Sequence, residues 1–290
     1  MRRSATSDSP RQGGALEAVV QAVLLGMLIV LAATIPRNML FMANLRYDTA
    51  IPWSVPLIAV YLWLFWRYVQ GAGPPESTAK VRRTSLRANP VPGRVRAWAL
   101  LAGGLGLVAL VLALRVANRL VALPEQQAPD LSQMPALTVL VLLLMSSLFA
   151  GVVEESAFRG YMQGPIERRL GLPLAILITG TMFAIAHLDF TWILWPYYVT
   201  VAAIYGIVTH LARSIFPAVV LHASGNVYSN LTLWLTGRAE WQTSSGPTAL
   251  VWSSGADRPF LISIAVLVVV SAAMVWAYFM LARAARNLPA

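Results

Sequence analysis

The 290-residue sequence contains no cysteine, which excludes disulfides, thiol nucleophiles and thiolate metal ligands. Charged residues make up only 12% of the chain, whereas soluble domains contain about 25%. Hydrophobic residues make up 58%, and no polar stretch is long enough to form a separate soluble domain. The composition therefore predicts an all-α integral membrane protein.

Two catalytic motifs of well-known hydrolases are also absent from the sequence. It has no Gly-x-Ser-x-Gly, the nucleophile elbow of serine hydrolases. It also has no His-Glu-x-x-His, the helical zinc motif of many metalloproteases. Histidine itself is scarce, and any imidazole chemistry must come from His187, His210 or His222.

Apolar runs predict about eight transmembrane helices in a single polytopic domain over residues 17–290, after a flexible cytoplasmic tail at residues 1–16. Pro36 is expected to end the first span. The motif residues lie in a core at about residues 136–235. The predicted spans are Val19 to Ile35, Pro52 to Tyr68, about Ala97 to Leu114, a fourth from Pro135 through the Glu154 region, Leu174 to Leu188, about Trp192 to Thr209, Ile215 to Leu235, and Phe260 to Leu281.

The basic residues predict that both termini are cytoplasmic. The net charge is +10, and the longest basic linker, residues 70–96, falls on the same side as the termini. This excess indicates loops that face anionic lipid rather than nucleic-acid binding. A bacterial source would place the protein in the cytoplasmic membrane. Of the 22 basic residues, only six fall on the opposite side: Arg37, Arg46, Arg115, Arg119, Arg238 and Arg258.

Two adjacent carboxylates, Glu154 and Glu155, follow directly on the apolar run that starts at Ala136. A charge at that depth costs roughly 2.5–3.5 kcal/mol unless it is paired or functional. Glu155 and Arg159 have the i,i+4 spacing of a helical ion pair, with the acid first. This spacing predicts a supporting pair between them and leaves Glu154 as the free, reactive carboxylate.

The fourth and fifth spans form a predicted hairpin whose turn is at Gly171. Glu154 and His187 lie at almost equal distances along the chain from that turn, so the antiparallel helices bring them to the same depth. Phe183 precedes His187 by one helical turn, so its ring is expected to pack against the imidazole. The hairpin therefore predicts that a carboxylate and an imidazole lie together within the bilayer.

His222 and Asn226 share one face of the seventh span. We predict that they converge with Glu154 and His187 around one water-sized cavity. There a buried carboxylate is a plausible general base for water, and imidazole and amide groups can donate hydrogen bonds to an oxyanion. One carboxylate and two imidazoles are also a ligand set that zinc accepts, so a divalent metal held by Glu154, His187 and His222 stays an open alternative. His210, outside this set, is read as structural.

Three motifs in order, Glu154-Glu155-x-x-x-Arg159, Phe183-x-x-x-His187 and His222-x-x-x-Asn226, resemble the CPBP family of intramembrane proteases. This family includes type II CAAX prenyl endopeptidases and bacteriocin-processing and self-immunity proteins. The resemblance implies an eight-helix fold and hydrolysis of a peptide bond in a membrane cavity open to the cytoplasm. It implies that Glu154 and His187 activate water, while His222 and Asn226 stabilise the oxyanion.

The predicted function is therefore that of an intramembrane endopeptidase acting on a membrane-associated peptide or protein. Two other classes fit the same residues. A catalytically silent scaffold or immunity protein would keep the fold and sequester a partner. A proton-coupled transporter would use Glu154 as its proton carrier.

Overall fold

The computed structural model describes residues 14–47, 50–124, 131, 133–187, 192–239, 241–242 and 248–288. Every regular element in these ranges is a helix, so the predicted all-α membrane fold is confirmed. Most of the predicted cytoplasmic tail, residues 1–13, lies outside the described residues.

Eleven α-helices follow one another through these ranges, and a π-helical segment, Glu155–Gln163, joins the fifth to the sixth. Short 3₁₀ turns at Glu76–Thr78 and Trp192–Leu194 precede α3 and α8. The α-helices are α1 (Ala15–Tyr47), α2 (Ser54–Val69), α3 (Ala79–Leu86), α4 (Gly93–Leu120), α5 (Ala136–Glu154), α6 (Gly164–Leu170), α7 (Leu172–Ala186), α8 (Trp195–Ala212), α9 (Phe216–Thr236), α10 (Val251–Ser254) and α11 (Arg258–Ala285).

Five of the helical stretches are long and apolar enough to cross a membrane: α1, α4, the continuous Ala136–Leu170, Trp192–Ala212 and α11. Two further apolar helices, α2 and α7, are shorter. The long helix α9 carries the polar side chains His222, Asn226 and Asn230. Each of the eight predicted apolar segments contains a helix in its described part, while the number that span the membrane stays a prediction.

The prediction that Pro36 ends the first span is wrong, because α1 continues through it to Tyr47. Proline lacks an N–H group and so leaves the carbonyl four residues earlier, that of Ala32, without its helical partner. The hydroxyl of Tyr61 on α2 donates to this carbonyl at 2.9 Å. A tertiary contact therefore supplies the hydrogen bond that the proline removes, and the helix continues.

Small residues allow the helices around the motif region to approach closely. A Cβ atom added at Gly151 of α5 would lie 3.0 Å from both the Cβ of Ala223 and the carbonyl oxygen of Val219 on α9. A Cβ added at Gly180 of α7 would lie 2.9 Å from the Cα of Val199 on α8. Such contacts are typical of helix pairs in membranes, where close packing replaces the hydrophobic effect.

The basic linker, residues 70–96, also makes hydrogen bonds that stabilise the fold. Arg82 of α3 is buried, and its guanidinium donates to four backbone carbonyls, that of Tyr68 in the last turn of α2 and those of Ala72, Gly73 and Pro75 after it. The linker is also bound to the turn between α8 and α9, where the Ile215 N–H donates to the Arg87 carbonyl at 3.1 Å. It therefore lies at the end of the bundle where α8 ends and α9 begins.

The helices α4 and α11 pair along their length, with Trp98 and Trp276 in edge-to-face contact at 5.2 Å. Asp257 caps α11 by accepting from the Phe260 N–H at 2.9 Å, and it pairs with Arg119 at 3.0 Å. The Phe260 hydrogen bond lowers the pKa of the Asp257 carboxyl, and Arg119 acts in the same direction. These contacts fasten the start of α11 to the end of α4.

Candidate active site

The glutamate motif lies where α5 changes into the π segment. Glu154 is the last residue of α5, and Glu155 is the first of nine π-helical residues, all of them buried. π-Helical turns are rare and often occur at functional sites. The helix is thus α-helical up to Glu154 and π-helical from Glu155, and Glu155 and Arg159 still face each other.

Glu154 and Glu155 each lie near a different ring nitrogen of His222. His222 Nδ1 lies 2.7 Å from Glu155 Oε1 and is a hydrogen-bond donor, because the carboxylate accepts. His222 Nε2 lies 3.8 Å from Glu154 Oε2, too far for a direct hydrogen bond. Glu155 thus fixes the orientation of the ring, and Glu154 lies at its other nitrogen.

Arg159 balances the charge of Glu155 in a fully buried environment. Its Nη1 lies 3.1 Å from Glu155 Oε1, and both side chains have 0% exposure. The N–H groups do not align with that oxygen, so the contact is an ion pair rather than a hydrogen bond. The guanidinium also lies 5.2 Å from the ring centres of Phe183 and Tyr205, at cation–π distance. Glu155 is therefore shared between an arginine and an imidazole.

His187 ends α7 and contributes the second imidazole. Its Nδ1 lies 2.8 Å from the carbonyl oxygen of Phe183, which can only accept, so Nδ1 carries the hydrogen. In the neutral ring Nε2 is then an acceptor. The ring packs against Phe183 at 4.5 Å and against Tyr198 at 4.9 Å.

A cavity of about 380 Å³ is lined by three of the four predicted site residues: His187, His222 and Asn226. Glu154 is one helical turn from Ala150, another lining residue, and reaches the site through its contact with His222. The cavity is much larger than the predicted water-sized space, since a water molecule takes about 30 Å³ in the liquid. It has room for a short stretch of peptide as well as water.

The cavity extends from His222 away from the basic linker. Its far walls include Leu194 and Tyr197 at the start of α8, Asn230 in the second half of α9, and Trp241 in the segment after α9. These residues lie at the end of the bundle where α8 begins and α9 ends. The basic linker lies at the opposite end.

Residues 136–228 match the family model of the type II CAAX prenyl endopeptidases described as Rce1-like. This segment runs from the start of α5 into α9 and contains every motif residue discussed above. Over this segment, about a third of its length, the chain is similar to the Rce1-like family. The family is one of CAAX-type membrane proteases, so the protein is classed as an enzyme. Comparison with curated proteins and with solved structures gave no match.

The Rce1-like segment does not form a ready three-ligand metal site. Among the described residues, no group of three or more histidine, aspartate or glutamate side chains is placed to hold one ion. His222 is held by Glu155 through one nitrogen, and His187 by a backbone carbonyl through one of its own. Both rings keep Nε2 free, as metal-binding histidines do, so a metal held by Glu154, His187 and His222 stays a prediction.

Sequence reasoning missed several side chains that surround His187 and His222. Tyr205 stacks on His222 with ring centres 5.0 Å apart, and Tyr198, seven residues earlier on α8, contacts His187. Their i,i+7 spacing on an apolar helix was a usable signal, since such residues share a face. His210, read as structural, pairs with Glu167 at 2.6 Å, outside the residues that line the cavity.

Proposed function

We propose that this protein is an intramembrane endopeptidase in which Glu154 activates a water molecule for attack on a peptide bond. The observation that carries the proposal is the placement of Glu154 beside a histidine whose other nitrogen is already held. Glu154 Oε2 is buried and has no hydrogen-bond partner among the described residues. A carboxylate oxygen in that state is available to take a proton from water.

The proposed reaction begins when Glu154 takes one proton from water and the water oxygen bonds to the carbonyl carbon. His187 Nε2, as an acceptor, helps to orient that water. The carbonyl oxygen becomes an oxyanion, which the Asn226 amide stabilises by donating a hydrogen bond. His222 Nε2 donates a second hydrogen bond in the form of the ring in which both nitrogens carry hydrogen. Glu154 then returns the proton to the leaving nitrogen as the C–N bond breaks, which yields a carboxylic acid and an amine.

Glu155 and Arg159 act in this proposal as positioning residues. The Glu155 carboxylate holds His222 in the orientation that points Nε2 toward Glu154. Arg159 supplies the counter-charge that makes a second buried carboxylate tolerable. The pattern resembles other hydrolytic sites in which a buried carboxylate orients a working imidazole.

The position of the cavity indicates the side of the membrane from which substrate enters. The charge pattern predicts that the basic linker lies in the cytoplasm, and the cavity extends toward the other end of the bundle. We therefore propose that substrate enters from the non-cytoplasmic side. This differs from the cytoplasmic opening that the family resemblance implies.

The decisive experiment compares cleavage of a membrane peptide by wild type and by Glu154→Gln. Loss of the general base should lower kcat by about 10²–10⁴-fold. The matched control is Glu17→Gln, which removes the same charge from an exposed position near the start of α1. Cleavage that persists in Glu154→Gln at the control rate would refute the mechanism. Equal phenotypes in cells for wild type and an inactive variant would instead favour a scaffold.

A further inference from the structure

Tyr205 of α8 is a buried cavity residue that the proposed hydrolysis does not use. It lines the same cavity as His187, His222 and Asn226, and only 3% of it is exposed. Its hydroxyl makes no hydrogen bond to any other residue that the structure describes. The hydroxyl oxygen is not fully enclosed by protein, so it faces the cavity that the residue lines. A buried hydroxyl without a partner is costly, which calls for a ligand in the cavity.

A glycine on α9 makes room for this hydroxyl. A Cβ atom added at Gly225 would lie 3.3 Å from the Tyr205 hydroxyl oxygen, and its next neighbour, Leu107 Cδ1, would be 3.7 Å away. Gly225 also lines the cavity, three residues after His222 and one before Asn226. Residues three and four apart lie on one face of a helix. The hydroxyl therefore lies against the cavity wall that carries both His222 and Asn226.

The Tyr205 ring is held by two contacts, which fix the direction of its hydroxyl. The ring stacks on His222 with an interplanar angle of 15° and ring centres 5.0 Å apart. The Arg159 guanidinium lies 5.2 Å from the ring centre, at cation–π distance. A donor that is fixed before the reaction costs no reorganisation when charge develops beside it.

We propose that the Tyr205 hydroxyl donates a hydrogen bond to the oxyanion, beside the Asn226 amide and His222. An oxyanion can only accept, so the hydroxyl donates and keeps its own proton. Inside a buried cavity a fixed donor stabilises this negative charge more than it stabilises the neutral carbonyl of the bound peptide. Tyr205 thus lowers the reaction barrier without tightening the binding of substrate. This inference rests on the proposed endopeptidase function and adds a catalytic group to it.

The test compares cleavage of one membrane peptide by wild type and by Tyr205→Phe. The phenylalanine ring keeps the contacts with His222 and Arg159, and only the hydroxyl is lost. Loss of one oxyanion donor should lower kcat by about 10²-fold with little change in KM. The matched control is Tyr278→Phe, which removes a hydroxyl that donates to the carbonyl of Ile204 and lies outside the residues that line the cavity. The control should keep the wild-type kcat, and an unchanged kcat in Tyr205→Phe would overturn the proposal.

A binding measurement separates a role in the transition state from a role in substrate binding. A peptide that carries a phosphonate in place of the scissile bond presents a tetrahedral anion, as the oxyanion intermediate does. Tyr205→Phe should weaken binding of the phosphonate peptide by about 10²-fold. Added to Glu154→Gln, the same substitution should leave binding of the uncleaved parent peptide unchanged. Equal weakening of both peptides would overturn the proposal.

Gly225→Ala tests the position of the hydroxyl. The new methyl group displaces the hydroxyl from its site, so kcat should fall several-fold in the wild-type background. In the Tyr205→Phe background there is no hydroxyl to displace, and kcat should fall no further. An unchanged kcat in the first background, or an equal loss in both, would overturn the proposal. Should Tyr205→Phe weaken the phosphonate peptide as predicted while wild type cleaves no membrane peptide, the hydrolytic proposal fails separately.

Discussion

Replacing Glu155 and Arg159 singly and together should show that their contributions to the free energy of unfolding are strongly coupled. Both side chains are fully buried, with Nη1 and Oε1 3.1 Å apart. Glu155→Gln leaves Arg159 without its counter-charge, and Arg159→Met leaves the carboxylate with only His222. Breaking a buried pair from one side typically costs about 3–5 kcal/mol. The double variant has no unbalanced charge, so its loss of stability should fall short of the sum by about 2–3 kcal/mol.

The assay is a double-mutant cycle on the free energy of unfolding in detergent micelles, measured for the four proteins by denaturant titration. The activity of each protein supplies a second readout. The amide oxygen introduced by Glu155→Gln can still accept from His222 Nδ1, so this variant should keep more activity than Glu155→Ala at similar stability. If the stability losses of the two single variants sum to that of the double variant to within about 0.5 kcal/mol, Glu155 and Arg159 are not a coupled pair.

Three further predictions concern packing, the oxyanion and topology. Gly151→Val should push α5 from α9, because even a Cβ atom there meets Ala223 at 3.0 Å, so stability and activity should fall together in unfolding and cleavage assays. Asn226→Ala should lower kcat by about 10²–10³-fold with little change in unfolding, as for a lost oxyanion donor; an unchanged kcat would remove it from the mechanism. The chain has no cysteine, so single cysteines at the exposed Val81 and Trp192 report topology: a membrane-impermeant thiol reagent should label Trp192→Cys but not Val81→Cys in intact cells. The reverse pattern would place the cavity's far walls, which include Leu194 and Trp241, on the cytoplasmic side.

The polar motifs could be found in the sequence because buried charge is rare in apolar helices. The hairpin about Gly171 and the i,i+4 relation of Glu155 and Arg159 needed only chain spacing. The contact between Glu155 and His222 could not be predicted that way, because it joins two helices that are far apart in sequence. Spacing alone also does not distinguish an α-helical turn from the π-helical turn found here.

Other features depend on tertiary contacts that no local pattern reveals. Pro36 is tolerated in α1 because Tyr61, on another helix, bonds the carbonyl that the proline leaves free. Arg37 contributes to the charge count that predicts topology, whereas the structure places it in the cavity. A charge inside an apolar run therefore needs a structural explanation before it is used as a topology signal.

The central claim is that Glu154 acts as a base on water and not as a nucleophile. The most direct measurement is cleavage in water enriched in heavy oxygen, followed by mass spectrometry of the product and of the enzyme peptide that contains Glu154. We predict that the heavy oxygen enters the new C-terminal carboxylate of the product and that Glu154 stays unlabelled. Heavy oxygen in the Glu154 carboxylate would show a covalent intermediate and contradict the account.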